Sequence, residues 1–311
     1  MTHAYRLLAG LVFASIILFW PPMTFLAVVP LLLLSCIRGP RYAVIGTLLA
    51  ALAIWLISGI TLISLMYLLV VGIPALVMGT LIKKDTAAWN TIMLGTAFLM
   101  ACLVLLIVIL EQVGQLNFRL ELQRIFHDSM DTAYKFYKNR GTSPQELSLI
   151  KRNSWQLLRM IDLIWPSLMV ISVWGFVSLD YIISGKLLQR FGLTIKSLPV
   201  FSQWRCSDWL VWVFIISSGM VVGDQVLRVS AIPWLYASIV NILIIIGFAY
   251  SIQGLSVASY YFNKAKMGRL PKSLFYLLIL LNRELWIVLL LFGLMDIWVN
   301  WRKINKTVAS N

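Results

Sequence analysis

A chain of 311 residues is long enough for two soluble domains or for one bundle of membrane spans. With 60% hydrophobic residues, 12% charged residues and a mean hydropathy of +0.88, it is excluded from the soluble class, whose members are about a quarter charged. The net charge of +14 does not imply nucleic acid: the basic residues cluster between apolar runs, where they face anionic lipid, and no basic aromatic patch accompanies them.

The three cysteines (Cys36, Cys102, Cys206) are scattered, and the two histidines (His3, His127) lie far apart, so neither a disulfide framework nor a metal site is expected. The composition predicts an all-α fold, a polytopic bundle of about nine membrane helices over 6–20, 22–37, 42–58, 61–82, 88–113, 159–182, 207–227, 232–262 and 273–300. Arg6 and the apolar run to Trp20 imitate a signal peptide. No A-x-A site follows, and Pro21-Pro22 leads straight into another apolar run, so the segment reads as an uncleaved first span. Terse turns at Trp20-Pro21-Pro22, Arg38-Gly39-Pro40-Arg41 and Ser58-Gly59 separate the first four runs.

Residues 115–158 form the long polar region between membrane portions 1–114 and 159–311. In its first part Phe118, Leu122, Ile125, Phe126, Met130, Ala133, Tyr134 and Tyr137 recur at helical spacing, opposite Glu121, Arg124, Asp128, Asp131, Lys135 and Lys138. Asn139-Arg140-Gly141 breaks this helix. Ser143-Pro144-Gln145-Glu146 starts the next, with Ser143 as N-cap and Glu146 completing a capping box. Nothing interrupts the chain from there to Pro166, so the second helix is expected to run into the sixth span with a kink at the proline. The short turns rich in Lys and Arg fall on one side if the N-terminus is cytoplasmic, which predicts a multi-pass membrane protein in that orientation.

An ionisable group inside a span costs about 2.5–3.5 kcal/mol on insertion scales and marks a candidate site. Asn282-Arg283-Glu284 lies about ten residues into the last run, so Arg283 and Glu284 are expected to meet different partners about 100° apart around the helix. An internal ion pair, a ligand contact or snorkelling to the interface would each account for Arg283. Glu111 near the end of the fifth run could neutralise it or be solvated. Asn241 and Gln253 belong to the eighth run, either bonding between helices or facing a cavity. Asp162 and Asp180 bracket the sixth span at its ends. Trp204, Trp209 and Trp212 form an interfacial belt or a stacking platform. No P-loop, nucleophile elbow, H-E-x-x-H or paired carboxylates at helical spacing occur, so no enzyme and no cofactor is expected, and ATP-driven work would need a partner protein.

Several turn and terminal motifs occur in order along nearly the whole chain. They are Pro30 ahead of Arg38-Gly39-Pro40-Arg41, Gly72-x-Pro74 leading to Gly79, Phe201-x-x-Trp204 with Asp208-Trp209-Leu210-Val211-Trp212, Gln253-Gly254, and Gly293-Leu294-Met295-Asp296-x-Trp298 closing with Arg302. In these the chain resembles the YybS-like family of bacterial multi-pass membrane proteins carrying a domain of unknown function. Its N-terminal half is in turn similar to the substrate-binding subunits of energy-coupling-factor transporters, sharing the Pro-containing first turn, the second span ending in Gly-Pro-Arg and the small residues of the first span. That likeness implies a small ligand bound by spans one to six and a separate ATPase module docking on them. The residues themselves place the expected pocket among the fifth, eighth and ninth spans, with Arg283, Glu284, Asn282 and Gln253 as polar contacts and Asn241 and Glu111 nearby. A scaffold that recruits a partner through 115–158 is the rival reading.

Overall fold

The computed structural model describes residues 2–21, 23–114 and 117–302; Pro22 of the first turn, Gln115-Leu116 at the start of the polar region, and the tail with Lys303 and Lys306 lie outside these. Among the described residues there is no strand, as the composition requires. Helices occupy each of the nine apolar runs, but only five are both long and apolar enough to cross a membrane, or six if one bent pair is a single span. Arg6–Leu18, Thr24–Arg38 and Leu210–Val222 are shorter apolar helices.

The chain divides into two compact units: residues 1–159 with 172–197, and 160–171 with 198–311. In unit 1, α1 (Thr2–Leu18), a 3-10 turn (Thr24–Ala27), α2 (Val28–Arg38), α3 (Pro40–Ser58), α4 (Thr61–Tyr67), α5 (Ile73–Lys83) and α6 (Ala88–Gln112) follow in order. α2 is the centre: every residue from Val28 to Ser35 is buried. Small residues let the neighbours close around it. A side chain at Gly79 of α5 would strike Ser35, and one at Gly46 of α3 would come within 2.8 Å of Leu34. Gly46 and the buried Ala50 of α3 are therefore used in packing, whereas Gly10 of α1 faces open space. Ser15 donates to the carbonyl of Ala27 at 2.9 Å and shares a 2.5 Å hydrogen bond with the buried Tyr67 hydroxyl. A π-helical turn, Leu68–Gly72, joins α4 to α5. Pro74, just beyond it, has no amide hydrogen to give back to Val70, and a wider turn is one way a helix absorbs that gap.

The polar region is a helical hairpin, α7 (Phe118–Asn139) and α8 (Pro144–Arg190). Asn117 caps α7 by accepting from the Leu120 amide at 3.1 Å. The capping box forms as the sequence predicts, with the Ser143 amide donating to Glu146 at 3.2 Å and the Glu146 amide to Ser143 at 3.3 Å. α8 continues without a break through Pro166 to Arg190.

Unit 2 holds residues 160–171 of α8, then α9 (Leu210–Val222), the short α10 (Asp224–Leu227), α11 (Pro233–Lys264), α12 (Arg269–Leu281) and α13 (Arg283–Val299). α11 and α13 are its core pair. They approach so closely that a Cβ on Gly254 would land on the carbonyl oxygen of Leu289, and one on Gly293 on that of Tyr250. Backbone-to-backbone contact of this kind is what glycine permits and any side chain forbids. The single last span expected over 273–300 is instead broken at Asn282, with α12 and α13 bent by 109°. Asn282 is extended there (φ −122°, ψ 107°), and its side chain accepts from the Glu284 amide at 3.0 Å, so it ends one helix and caps the next.

Candidate functional site

Among the described residues three polar assemblies stand out, and two of them hold candidates for the binding pocket, Gln253 in one and Asn241 in the other. In unit 2, Asn300 takes the left-handed conformation (φ 45°, ψ 50°), a shape asparagine tolerates, and turns the chain back after α13. The turn carries Arg302, whose side chain is 0% exposed, onto Asp296, 1% exposed, at 2.7 Å from Nη2 to Oδ2, with Nε at 3.2 Å from the same oxygen. The guanidinium also donates to the Ser202 carbonyl at 2.9 Å and to the Ser256 hydroxyl at 2.6 Å. Gln253 completes the group: its amide nitrogen donates to Asp296 Oδ2 at 3.2 Å and to the Gly293 carbonyl at 3.1 Å, while its oxygen accepts from the Cys206 amide at 2.8 Å. Ser256 in turn donates to the carbonyl of Phe201 at 2.6 Å. Alongside, Arg205 pairs with Asp208 at 3.1 Å. The partners around Asp296 and Arg302 are already paired with one another, and what they do is tie α11, α13 and the Phe201–Gln203 turn into one block.

Asn241 performs a second structural task. Pro166 has no amide hydrogen for the α8 ladder, and beside it the Ser167 amide donates to Asn241 Oδ1 at 2.8 Å. The Asn241 amide nitrogen then donates to Leu163 at 2.8 Å and to Ala237 at 2.7 Å. One side-chain amide is thereby a splice between α11 and the turn of α8 around Pro166. Asn241→Leu removes both halves of the splice and is expected to destabilise unit 2 by about 1–3 kcal/mol, as unmade buried hydrogen bonds do. Thermal unfolding of the purified protein measures this; a midpoint equal to wild type would show that α8 holds its path past Pro166 without these bonds.

The remaining sequence candidates are not gathered with these. Asn282, Arg283 and Glu284 are exposed at the α12–α13 elbow rather than deep in a straight span, because the break at Asn282 makes them the first turn of a new helix. Among the described residues Arg283 is in no ion pair. Glu111 is exposed near the end of α6, in unit 1. Trp209 and Trp212 are exposed, in keeping with an interfacial belt. In the loop before α11, the Asp224 carboxyl is held below its usual range by hydrogen bonds from Ser230, whose amide lies 2.7 Å away. Next to the elbow, α11, α12 and α13 enclose a cavity of about 280 Å³ with an apolar lining that includes Val257, Phe262, Phe275, Ile279, Leu289 and Phe292.

The third assembly is in unit 1 and was missed. Asp180 is 2% exposed and Ser184 0%, one turn apart on α8; Asp180 Oδ1 and Ser184 Oγ are both buried with no hydrogen-bond partner. Ser35 of α2, 0% exposed, likewise leaves its hydroxyl unpartnered. The sequence places Asp180 at a span's end because the apolar run stops near Ile182, but α8 continues to Arg190, about 12 Å further. The legible signal was the Asp180/Ser184 spacing. The neighbourhood is anchored by the Tyr181 hydroxyl donating to the Lys196 carbonyl at 2.5 Å and by Lys196 pairing with Asp85 at 3.0 Å. Among the described residues no three His, Cys, Asp or Glu side chains converge as metal ligands.

Comparison with known proteins adds one family and one relative. The chain is 27% identical over 187 residues to "Uncharacterized protein YybS" of Bacillus subtilis, covering 60% of this chain and 59% of that protein. No solved structure matches. The family described as "Predicted membrane protein (DUF2232)" matches residues 8–297. A family match over so much of the chain, with apolar helices along its length, makes this protein a multi-pass membrane protein of the DUF2232 family.

Proposed function

We propose that this protein is the ligand-binding membrane component of a small-molecule transport system in the bacterial inner membrane, its N-terminus cytoplasmic, with no covalent chemistry of its own. The observation that carries this reading is the unpartnered Asp180–Ser184 pair. Buried polar atoms in native proteins are nearly always hydrogen-bonded, and one that is not implies an ion, water or ligand that completes it. A carboxylate without a donor costs several kcal/mol to bury, so the group that meets Asp180 carries N–H or O–H donors or a positive charge. Gln253 and Asn241, by contrast, are saturated and serve as locks, which favours Asp180 over them as the ligand contact. Taking α4 and α5 as the single span Thr61–Lys83, unit 1 holds six apolar helical segments counting residues 172–190 of α8, the number that the transporter likeness implies. With no P-loop in the chain, the energy for uptake would come from a separate ATPase module.

Native mass spectrometry of the protein in lipid nanodiscs tests this. Wild type is expected to carry a small-molecule adduct that Asp180→Asn loses and Arg283→Ala keeps. A bare mass for wild type, or an adduct retained by Asp180→Asn, overturns the reading. The alternative, a scaffold recruiting a partner through residues 115–158, has one observation in its favour: α7 presents Ile125, Phe136 and Tyr137 to its surroundings, 58%, 51% and 44% exposed.

A further inference from the structure

The extramembrane half of α8 carries a feature that neither the transport reading nor the two polar locks uses. Arg152, Trp155, Gln156 and Arg159 recur at i, i+3, i+4 and i+7, so they share one helix face, and together they line an open crevice of about 510 Å³. The backbones of the two arginines are roughly 10 Å apart along the helix, close enough for two long arginine side chains to converge on one group between them. All four residues are exposed, and among the described residues neither arginine is in an ion pair, although Arg124 on the facing helix is matched with Glu121 at 3.1 Å. Trp155 is steadied by an edge contact from His127 of α7, ring centres 4.8 Å apart.

Position gives the crevice its chemistry. Arg159 immediately precedes the run Met160 to Ile182, which is apolar apart from Asp162, Asp180 and a few hydroxyls, so the four residues lie where hydrocarbon gives way to headgroups. Trp belongs at that level, and an arginine fork is shaped for two phosphate oxygens. Residues 115–159 carry eight Lys/Arg against four Asp/Glu, so the surrounding field also draws an anion. We propose that Arg152, Trp155, Gln156 and Arg159 bind a phosphate-bearing anion, the headgroup of an anionic phospholipid: the arginines take the phosphate, Gln156 a headgroup hydroxyl, and Trp155 flanks the glycerol region.

The test uses the full-length protein in nanodiscs of phosphatidylcholine with and without phosphatidylglycerol, reading lipid retained by native mass spectrometry after partial delipidation. Wild type retains phosphatidylglycerol over phosphatidylcholine. Arg152→Gln/Arg159→Gln retains it roughly tenfold less or worse, with an unchanged melting midpoint in detergent. Lys135→Gln/Lys138→Gln removes the same charge from the hairpin outside the crevice and retains the lipid like wild type. Equal loss in both double variants overturns the site in favour of diffuse charge. Full protection of wild type against lipid binding by millimolar inorganic phosphate assigns the crevice to free phosphate and overturns the lipid assignment.

Discussion

Asp296→Ala will lower the thermal stability of unit 2 by about 3–5 kcal/mol, the largest single-residue loss expected in the molecule. The substitution strands a guanidinium that is 0% exposed and paired with Asp296 at 2.7 Å. It also leaves the Gln253 amide without the Oδ2 it donates to at 3.2 Å. The cost comes from isolating a buried charge, so removing both charges costs less than removing one. Asp296→Leu/Arg302→Met should recover much of the loss, even though the carbonyl of Ser202 and the hydroxyl of Ser256 give up their donor. Tryptophan fluorescence on heating follows this directly, with a midpoint roughly ten degrees below wild type for the single variant. If the single and double variants melt together, the pair contributes through its individual hydrogen bonds and not as a balanced charge couple.

The second large effect belongs to the α11–α13 crossing. Gly254→Val is expected to cost about 3 kcal/mol, the upper part of the range for overpacking, because the obstruction at Leu289 is backbone, which cannot rotate away. Gly293→Val meets the Tyr250 carbonyl in the same manner and should match it. Gly219→Ala on α9 is the internal control: nothing lies within 4 Å of the added carbon, and the change from glycine to alanine favours the helix by about 1 kcal/mol. Melting midpoints that fall for the two crossing variants and rise for Gly219→Ala are the expected pattern. A crossing variant that melts like wild type would mean that α11 and α13 stand farther apart than the glycines allow.

Much of the fold is legible because periodicity and capping are local. The Ser143–Glu146 box, the break at Asn139–Gly141 and the passage of α8 through Pro166 all depend on residues within one or two turns, and all appear as read. What escaped depends on partners distant in sequence. Asp296 and Arg302 were visible as motif residues, but their pairing needs a left-handed residue between them, and nothing in the spacing announces that Asn300 adopts it. The apolar run 273–300 conceals its own break, since Asn282 looks like one polar residue in a span until its neighbours declare it a cap. Asp180 was misplaced for a related reason. Hydropathy locates where a run of apolar residues stops, whereas burial is decided by where the helix stops, and α8 outlasts its apolar run by eight residues (Ile182 to Arg190).

The enclosure of α2 has a further consequence. Eleven residues of helix are about 16 Å long, half the hydrocarbon thickness of a bilayer, and a helix facing lipid would have to tilt, thin the membrane or recruit flanking residues to fit. α2 avoids hydrophobic mismatch because protein, not lipid, surrounds it. Thickness changes in the host bilayer are borne by the long outer helices α3 and α6, with Leu48, Leu56, Phe98 and Val104 on their exposed faces, while the short central rod keeps its register and with it the depth at which Ser35 is held.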